Sequence, residues 1–217
     1  MSGIIGSRLN HRGSGLVGSL GTDGQHLLSS GAGVTSGFET VADATYDDDK
    51  VINNIALLGF KMAVNSDLIK YNLQDQIIDE YEDGSGIDAG ASTNETLVSA
   101  TYYKGSGSNL TLQSTDTTAE VEPDYVDMVM LIEDAHGTAT LNTDIKGYIS
   151  EDSGTTFTQG DLAQEGTWGT NKKILAFHDL DISAQSGTSM CYKIETLNQS
   201  AGSKETYIHA TSIGWKE

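Results

Sequence analysis

Residues 172–182, with the sequence KKILAFHDLDI, alternate Ile174, Ala176, His178, Leu180 and Ile182 with a second set of side chains. A period of two residues is typical of a β-strand. Residues 124–134, with the sequence DYVDMVMLIED, contain a nearly unbroken apolar run, which favours a central strand covered on both faces. Similar patterns predict further strands at residues 97–103, 109–119, 144–150, 189–197 and 205–215.

The spacing of these strands indicates the fold class. Turn-forming pairs such as His136-Gly137 and Ser186-Gly187 separate the strands, and no helical pattern lies between them. Seven strands within about 120 residues are typical of an antiparallel sandwich of the jelly-roll kind. We therefore expect a mainly β protein whose residues 96–217 form an antiparallel, jelly-roll-like β-sandwich.

The charge balance argues against one class of partner. The 217 residues include 31 acidic and 12 basic side chains, which gives a formal net charge of −19 at pH 7. Such an excess repels phosphate backbones, so no nucleic-acid partner is expected.

The single cysteine, Cys191, allows no internal disulfide. No apolar run suits a membrane span or a signal peptide, so we expect no membrane insertion and synthesis in a host cytoplasm.

Residues 1–45 are expected to form an extended arm. Ten of the 25 glycines fall between Gly3 and Gly37, and no period of 2.0 or 3.6 residues persists there. Such a segment buries too little apolar surface by itself to offset the entropy lost on ordering. Its apolar residues come mostly in pairs, which favours attachment along a partner chain. The predicted attachment residues are Ile4, Ile5, Leu16, Val17, Leu27 and Leu28.

Residues 46–72 are predicted to be helical, beginning at a run of aspartates that suits the positive end of the helix dipole. One set of positions repeats at intervals of 4, 3, 4, 3 and 4 residues, as in a short coiled coil. The same pattern would suit an amphipathic helix packed on its own domain. We name this set the seam; it consists of Val51, Ile55, Leu58, Met62, Asn65 and Ile69. Residues 73–95, rich in glycine, serine and acids, are predicted to be a linker, of which residues 73–83 could be helical or extended.

Residues 150–157 contain the sharpest local motif, S-x-D-x-G-x-T followed by phenylalanine. The motif resembles the Asp-box of sialidases and β-propeller proteins, where it stabilises a hairpin away from the catalytic site. A propeller needs repeated copies, and this chain has one. We therefore predict a structural hairpin whose residues are Ser150, Asp152, Gly154, Thr156 and Phe157.

No catalytic, cofactor-binding or metal-ligating set is predicted. The five histidines, among them His178 and His209, have no ligand spacing, and no G-x-S-x-G elbow is present. Aromatic side chains could instead form a platform on which a sugar stacks, although packing in a core or an interface is their usual role. The candidates for such a platform are Tyr102, Tyr103, Trp168, Tyr207 and Trp215.

Several segments resemble structural proteins of bacteriophage particles. Residues 21–33, GTDGQHLLSSGAG, are similar to a GTDGQVLTSSGAG segment of tail-fibre and other virion proteins, with His26-Leu27-Leu28 in place of Val-Leu-Thr. Residues 54–61, NIALLGFK, and residues 79–88, DEYEDGSGID, resemble segments of marine phage structural proteins. The run from Asp144 to Ile194 is similar to the β-domain of those proteins.

The resemblance implies a place on the virion surface, without distinguishing capsid from tail. We expect a non-enzymatic head fibre, decoration protein or tail fibre that forms a homotrimer, with a dimer as the alternative because Asn65 is polar. Residues 1–45 would bind other virion proteins. Two further hypotheses are a receptor-binding knob that recognises a host surface glycan and, less favoured, a polysaccharide hydrolase. No cofactor is expected.

Overall fold

The computed structural model describes residues 26–28, 37–39, 48–168 and 171–217. These residues form a mainly β structure with one helix, α1, Asp48–Lys70. No described helix has both the length and the apolar character that crossing a membrane requires. The strands are β1 His26–Leu28, β2 Gly37–Glu39, β3 Asp75–Asp79, β4 Glu95–Val98, β5 Tyr102–Gly105, β6 Leu110–Gln113, β7 Thr117–Thr118, β8 Tyr125–His136, β9 Ile145–Ser150, β10 Thr158–Gly160, β11 Ala163–Trp168, β12 Lys172–Asp181, β13 Ser189–Thr196 and β14 Glu205–Lys216.

Two antiparallel sheets share one hydrophobic core. The larger sheet has the order β11-β12-β8-β14-β5-β4, with β3 also paired to β14, and the smaller has the order β10-β9-β13-β6, with β7 also paired to β13. The shared core includes Met128, Met130 and Ile132 of β8 together with Ile149 of β9 and Ile194 of β13. The mainly β class predicted from the sequence is therefore confirmed.

The central position predicted for residues 124–134 is also confirmed. Strand β8 pairs with β12 on one side and with β14 on the other. Its Val129 and Leu131 point away from the shared core and belong to a second apolar cluster with residues of α1. We call this side of the larger sheet its helix face.

Helix α1 packs on the helix face through a stripe that differs from the seam. Ala56, Phe60 and Val64, spaced by four residues, are buried against Val129 and Leu131. Four-residue spacing keeps side chains on one side of a helix, so this stripe anchors α1 to its own sheet.

The segment predicted as a linker, residues 73–95, contains strand β3 and a buried tyrosine. Residues 75–79 pair with residues 211–215 of β14. The Tyr81 hydroxyl, fully buried, lies 2.7 Å from the Thr211 hydroxyl and 3.2 Å from that of Tyr192. Pairing with a strand distant in sequence orders this segment, whereas its local composition suggested a linker.

Two predicted strands of residues 96–217 are interrupted, and two observed strands of that region, β10 and β11, were not predicted. The segment 97–103 forms a hairpin of β4 and β5, with positive φ at Ser99 and Ala100. The segment 109–119 divides into β6 and β7. Strands β10 and β11 are rich in glycine and polar residues, so the apolar period of a strand is weak in both.

Residues 1–45 were predicted to contain no regular element, but two short strands lie among them. β1 and β2 pair in antiparallel register, with Leu27 opposite Phe38. A backbone ladder needs no apolar period, which explains why the sequence pattern missed it. Four predicted attachment residues lie outside the described residues: Ile4, Ile5, Leu16 and Val17.

Candidate functional site

A cavity of about 290 Å³ lies between the N-terminal half of α1 and the helix face of the larger sheet. Ile52 and Asn53 line it from the helix. The sheet contributes aromatic and charged side chains from β5, β8, β11, β12 and β14, so the cavity gathers residues far apart in sequence. We call it the aromatic cavity; its aromatic residues are Tyr102, Trp168 and Tyr207, and its charged residues from the sheet are Glu133, Lys172 and His209.

Three of the five predicted platform aromatics meet in this cavity. The rings of Tyr102 and Tyr207 stack with centroids 4.6 Å apart and planes 11° apart. The Trp168 indole packs against the backbone of Gly59, where a Cβ atom would lie 2.4 Å from it, so a larger residue at that position would displace the indole. The other two candidates, Tyr103 and Trp215, are 4% and 3% exposed in the shared core and lie outside this cavity.

The charged residues of the aromatic cavity form one network. The Glu133 carboxylate accepts a hydrogen bond from Nε2 of His209 at 2.8 Å and another from Lys172. These bonds lower the pKa of Glu133 to about 2, with the bond from His209 as the largest cause. Burial lowers the pKa of His209, which favours the neutral ring, and a neutral ring that donates to Glu133 carries its proton on Nε2.

This arrangement suits the binding of a neutral polar molecule with apolar faces. Aromatic rings offer stacking surfaces, while Asn53, Lys172 and Glu133 offer hydrogen-bonding groups beside them. Glu133 is held ionised by His209 and Lys172, which makes it unsuited to the role of general acid. A smaller cavity of about 210 Å³ adjoins the first and shares Asn53, Lys172 and His209 with it.

Most of the seam lies on the solvent side of α1. Ile55 is 48% exposed, Leu58 58%, Met62 64% and Ile69 83%. Asn65 is exposed as well, and Val51 is half-buried. The structure therefore separates the anchoring stripe from the seam and leaves the seam available to a partner.

The predicted structural hairpin forms the turn between β9 and β10. The Ser150 hydroxyl donates to Asp152 at 2.6 Å and accepts the Gly154 N–H, while Asp152 accepts the Thr156 N–H at 2.8 Å. Gly154 has φ +74°, a conformation that favours glycine. Phe157 packs edge-on to the Tyr148 ring. These bonds stabilise the turn, and the Ser153 hydroxyl also donates to the Asp116 carboxylate at 2.6 Å.

The network of Glu133, Lys172 and His209 was not predicted from the sequence. Each residue is ordinary in its local context, and only strand pairing brings the three together: Lys172 lies opposite Glu133 in the register of β12 and β8. The available signal was a pair of opposite charges on two predicted strands. Lys172 begins the strand predicted at residues 172–182, and Glu133 lies near the end of the one predicted at residues 124–134.

A pair of antiparallel sheets serves many unrelated functions, so function has to be argued from particular sites. In the described residues, the aromatic cavity and the exposed seam are two such features. Comparison of the sequence with protein-family models and with curated proteins finds no match in either.

Proposed function

We propose that this chain is a structural protein of a virus particle, a homotrimeric fibre or decoration protein on the virion surface. The exposed seam of α1 is the observation that carries the proposal. In this arrangement residues 1–45 attach the protein to the capsid or tail, and the two sheets form a jelly-roll-like sandwich that faces outward.

The seam is a set of apolar side chains that a monomer would leave exposed to water. Five of the eight large hydrophobic side chains exposed in the described residues lie on α1, and four of these belong to the seam. Single exposed apolar residues are common, but several along one side of a helix mark an interaction surface. The anchoring stripe holds the helix in place, so the row is presented on a fixed support.

A second copy of the same chain is the partner that best fits this row. The seam repeats at coiled-coil spacing, so identical seams can pack side by side around a symmetry axis. Apolar contact is also the interaction that two chains of net charge −19 need, because their charges repel. The resemblance of residues 21–33 and 54–61 to phage structural proteins supports the virion role.

Replacing Leu58 and Met62 together by aspartate is expected to dissociate the trimer, because six charges would meet at one apolar interface. Light scattering should show the mass falling from about three times the 23.0 kDa chain to a single chain. The variant should also be depleted from purified virus particles, since one attachment arm binds more weakly than three linked arms. Immunoblotting of particles measures this second effect.

The matched control adds two aspartates to the exposed side of the same helix outside the seam, at Asn54 and Ser66. This control should remain trimeric. An unchanged mass for the Leu58→Asp, Met62→Asp variant would overturn the seam as the interface. Absence of the wild-type chain from purified particles would overturn the virion role.

The aromatic cavity favours a second candidate function, recognition of a surface glycan. Stacked aromatic rings beside hydrogen-bonding groups suit a sugar ring, which has apolar faces and polar edges. The net negative charge disfavours sialylated or sulfated glycans, so neutral sugars are the expected ligands. Binding is favoured over hydrolysis because the ionised Glu133 cannot supply the proton that the leaving group of a glycosidic bond needs.

Replacing Trp168 by alanine is expected to weaken glycan binding about tenfold or more, because truncating a central aromatic side chain removes a large share of binding energy. A glycan array identifies a neutral ligand, and calorimetry then compares the variants. Tyr102→Ala should have a similar effect, which guards against Trp168→Ala acting through loss of helix packing.

Tyr125→Ala is the control, since Tyr125 is exposed outside the aromatic cavity. It should bind as the wild type does. No binding by the wild type at millimolar sugar, or equal binding by all three variants, would overturn glycan recognition by this cavity. Release of reducing sugar would instead support the hydrolase hypothesis.

A further inference from the structure

A second polar cluster lies toward the C-terminal end of α1, away from the aromatic cavity. His178 of β12 is at its centre, with Nδ1 2.8 Å from a carboxylate oxygen of Asp127 and Nε2 2.7 Å from one of Glu165. Oδ2 of Asp67, from α1, lies 3.9 Å from Nδ1 of the same ring. Tyr71 stacks on the imidazole with centroids 4.2 Å apart, which fixes its plane.

Asp67 is the unsatisfied member of this cluster. The residue is 5% exposed, and its Oδ2 atom has no hydrogen-bond partner. A buried carboxylate oxygen without a partner is costly, and such groups in native proteins are usually paired or bound to a cation. The orphaned oxygen is therefore an independent sign that a ligand belongs here.

The charges around His178 are also unbalanced. Three carboxylates, those of Asp67, Asp127 and Glu165, surround one imidazole. The nearby Lys216 is already committed, since it donates to the Asp179 carboxylate at 2.5 Å and to the Tyr71 carbonyl at 2.9 Å. Lys70 lies on the exposed side of the helix and donates to the Tyr71 hydroxyl. A divalent cation would supply the missing positive charge.

We propose that Asp67, Glu165 and His178 bind a divalent metal ion of the zinc class. One ligand atom from each residue lies within 4.8 Å of the others. Asp127 orients the histidine: its one oxygen accepts from Nδ1 and its other accepts the Asp179 N–H at 2.7 Å. A carboxylate that holds Nδ1–H leaves Nε2 for the metal, as in many zinc sites.

The approach of the metal requires a small shift of Glu165. Ligand atoms around tetrahedral zinc lie roughly 3.3 Å apart, wider than the present Nε2 to Glu165 separation. The Glu165 side chain is 33% exposed, so it has room to move outward. The mixed nitrogen and oxygen donors favour Zn²⁺ or Mn²⁺ over Ca²⁺, which prefers oxygen ligands alone.

The bound metal would tie α1 to β11 and β12, the strands that carry Glu165 and His178. It would therefore brace the helix that presents the seam, without taking part in the seam itself. The site is independent of whether the protein belongs to a virion, and its test needs only the purified full-length chain.

Calorimetric titration of the metal-free full chain with Zn²⁺ should give saturable binding of one ion per chain. Asp67→Asn, Glu165→Gln and His178→Gln should each weaken Zn²⁺ binding by about tenfold or more, as expected for loss of a ligand. Zn²⁺ should also raise the melting temperature of the wild type more than that of the three variants. Ca²⁺ should bind more weakly than Zn²⁺.

His136→Gln is the matched control, because His136 also lies beside a carboxylate, Glu205, but at the surface. It should bind Zn²⁺ as the wild type does. Near-ultraviolet circular dichroism in EDTA establishes that each variant is folded, and Glu165→Gln changes the most exposed ligand. No saturable Zn²⁺ or Mn²⁺ binding by the wild type, or equal binding by folded ligand variants, would overturn the proposal.

Discussion

Phe60→Ala is expected to lower the free energy of unfolding by about 3–5 kcal/mol, the usual cost of deleting a buried phenyl ring. Phe60 is fully buried in the cluster that joins α1 to Val129 and Leu131 on the helix face. Its removal leaves a cavity at the centre of that contact. Denaturant titration at several protein concentrations measures the loss, which should be the same at each concentration because the contact lies within one chain.

Leu58→Ala, two positions earlier on the same helix, is the matched control. Leu58 is 58% exposed and lies in the seam, so within one chain its truncation should change stability by no more than about 0.5 kcal/mol. If the seam joins copies of the chain, the loss caused by Leu58→Ala should grow with protein concentration, because association stabilises the folded state by mass action. A Phe60→Ala variant as stable as the wild type would contradict the assigned packing of α1.

The contrast between these two residues shows what sequence patterns can establish. A period near 3.6 residues predicted the helix, whose observed bounds are Asp48–Lys70. The same residues contain two apolar stripes, however, and periodicity does not say which stripe meets the chain's own sheet. The stripe of Ala56, Phe60 and Val64 fits there because its sheet neighbours, Ala176 and Ala210 among them, leave room for a phenyl ring.

The aromatic cavity was partly predictable. The sequence identified candidate aromatic residues but not the face of the sheet on which each one lies. Strand β14 has an irregularity between Ile208 and Ala210, and His209 has no partner in its register with β8. Such a bulge changes which face the following residues occupy. Simple alternation along residues 205–215 puts His209 on the same face as Tyr207, as observed, but would put Ala210 on the opposite face, whereas Ala210 packs with Leu131 on the helix face.

Segments poor in apolar residues were the hardest to predict. Strand β3 and Tyr81 lie in a stretch whose glycines and acids indicated a linker, yet Tyr81 is fully buried. What orders this stretch is its pairing with β14, more than 130 residues later. Contacts at that separation leave no local signal, because the ladder bonds are made by the backbone.

Glu151, within residues 150–157 of the structural hairpin, has a buried carboxyl group. Its side chain is fully buried, and neither of its carboxylate oxygens has a hydrogen-bond partner. Burial, with the nearby charges of Glu122, Asp152 and Asp124 adding to it, raises the pKa of Glu151 from 4.5 to about 7. The folded protein therefore keeps a proton on Glu151 at pH values where the unfolded chain has released it.

The free energy of unfolding of Glu151→Gln, measured relative to that of the wild type, is expected to be about 3 kcal/mol higher at pH 8 than at pH 4. The sign follows from the raised pKa of Glu151. As the pH rises from 4.5 through 7, the unfolded chain releases the Glu151 proton more readily than the folded protein does, so the wild type becomes less stable. Glutamine does not ionise, so the variant does not lose this stability. Taking the difference between the two pH values removes any constant effect of burying an amide. Denaturant titrations at both pH values measure it, with Glu120→Gln, an exposed acid, as the control that should follow the wild type. Parallel stability profiles for Glu151→Gln and the wild type would mean that Glu151 is ionised, and stabilised, within the folded protein.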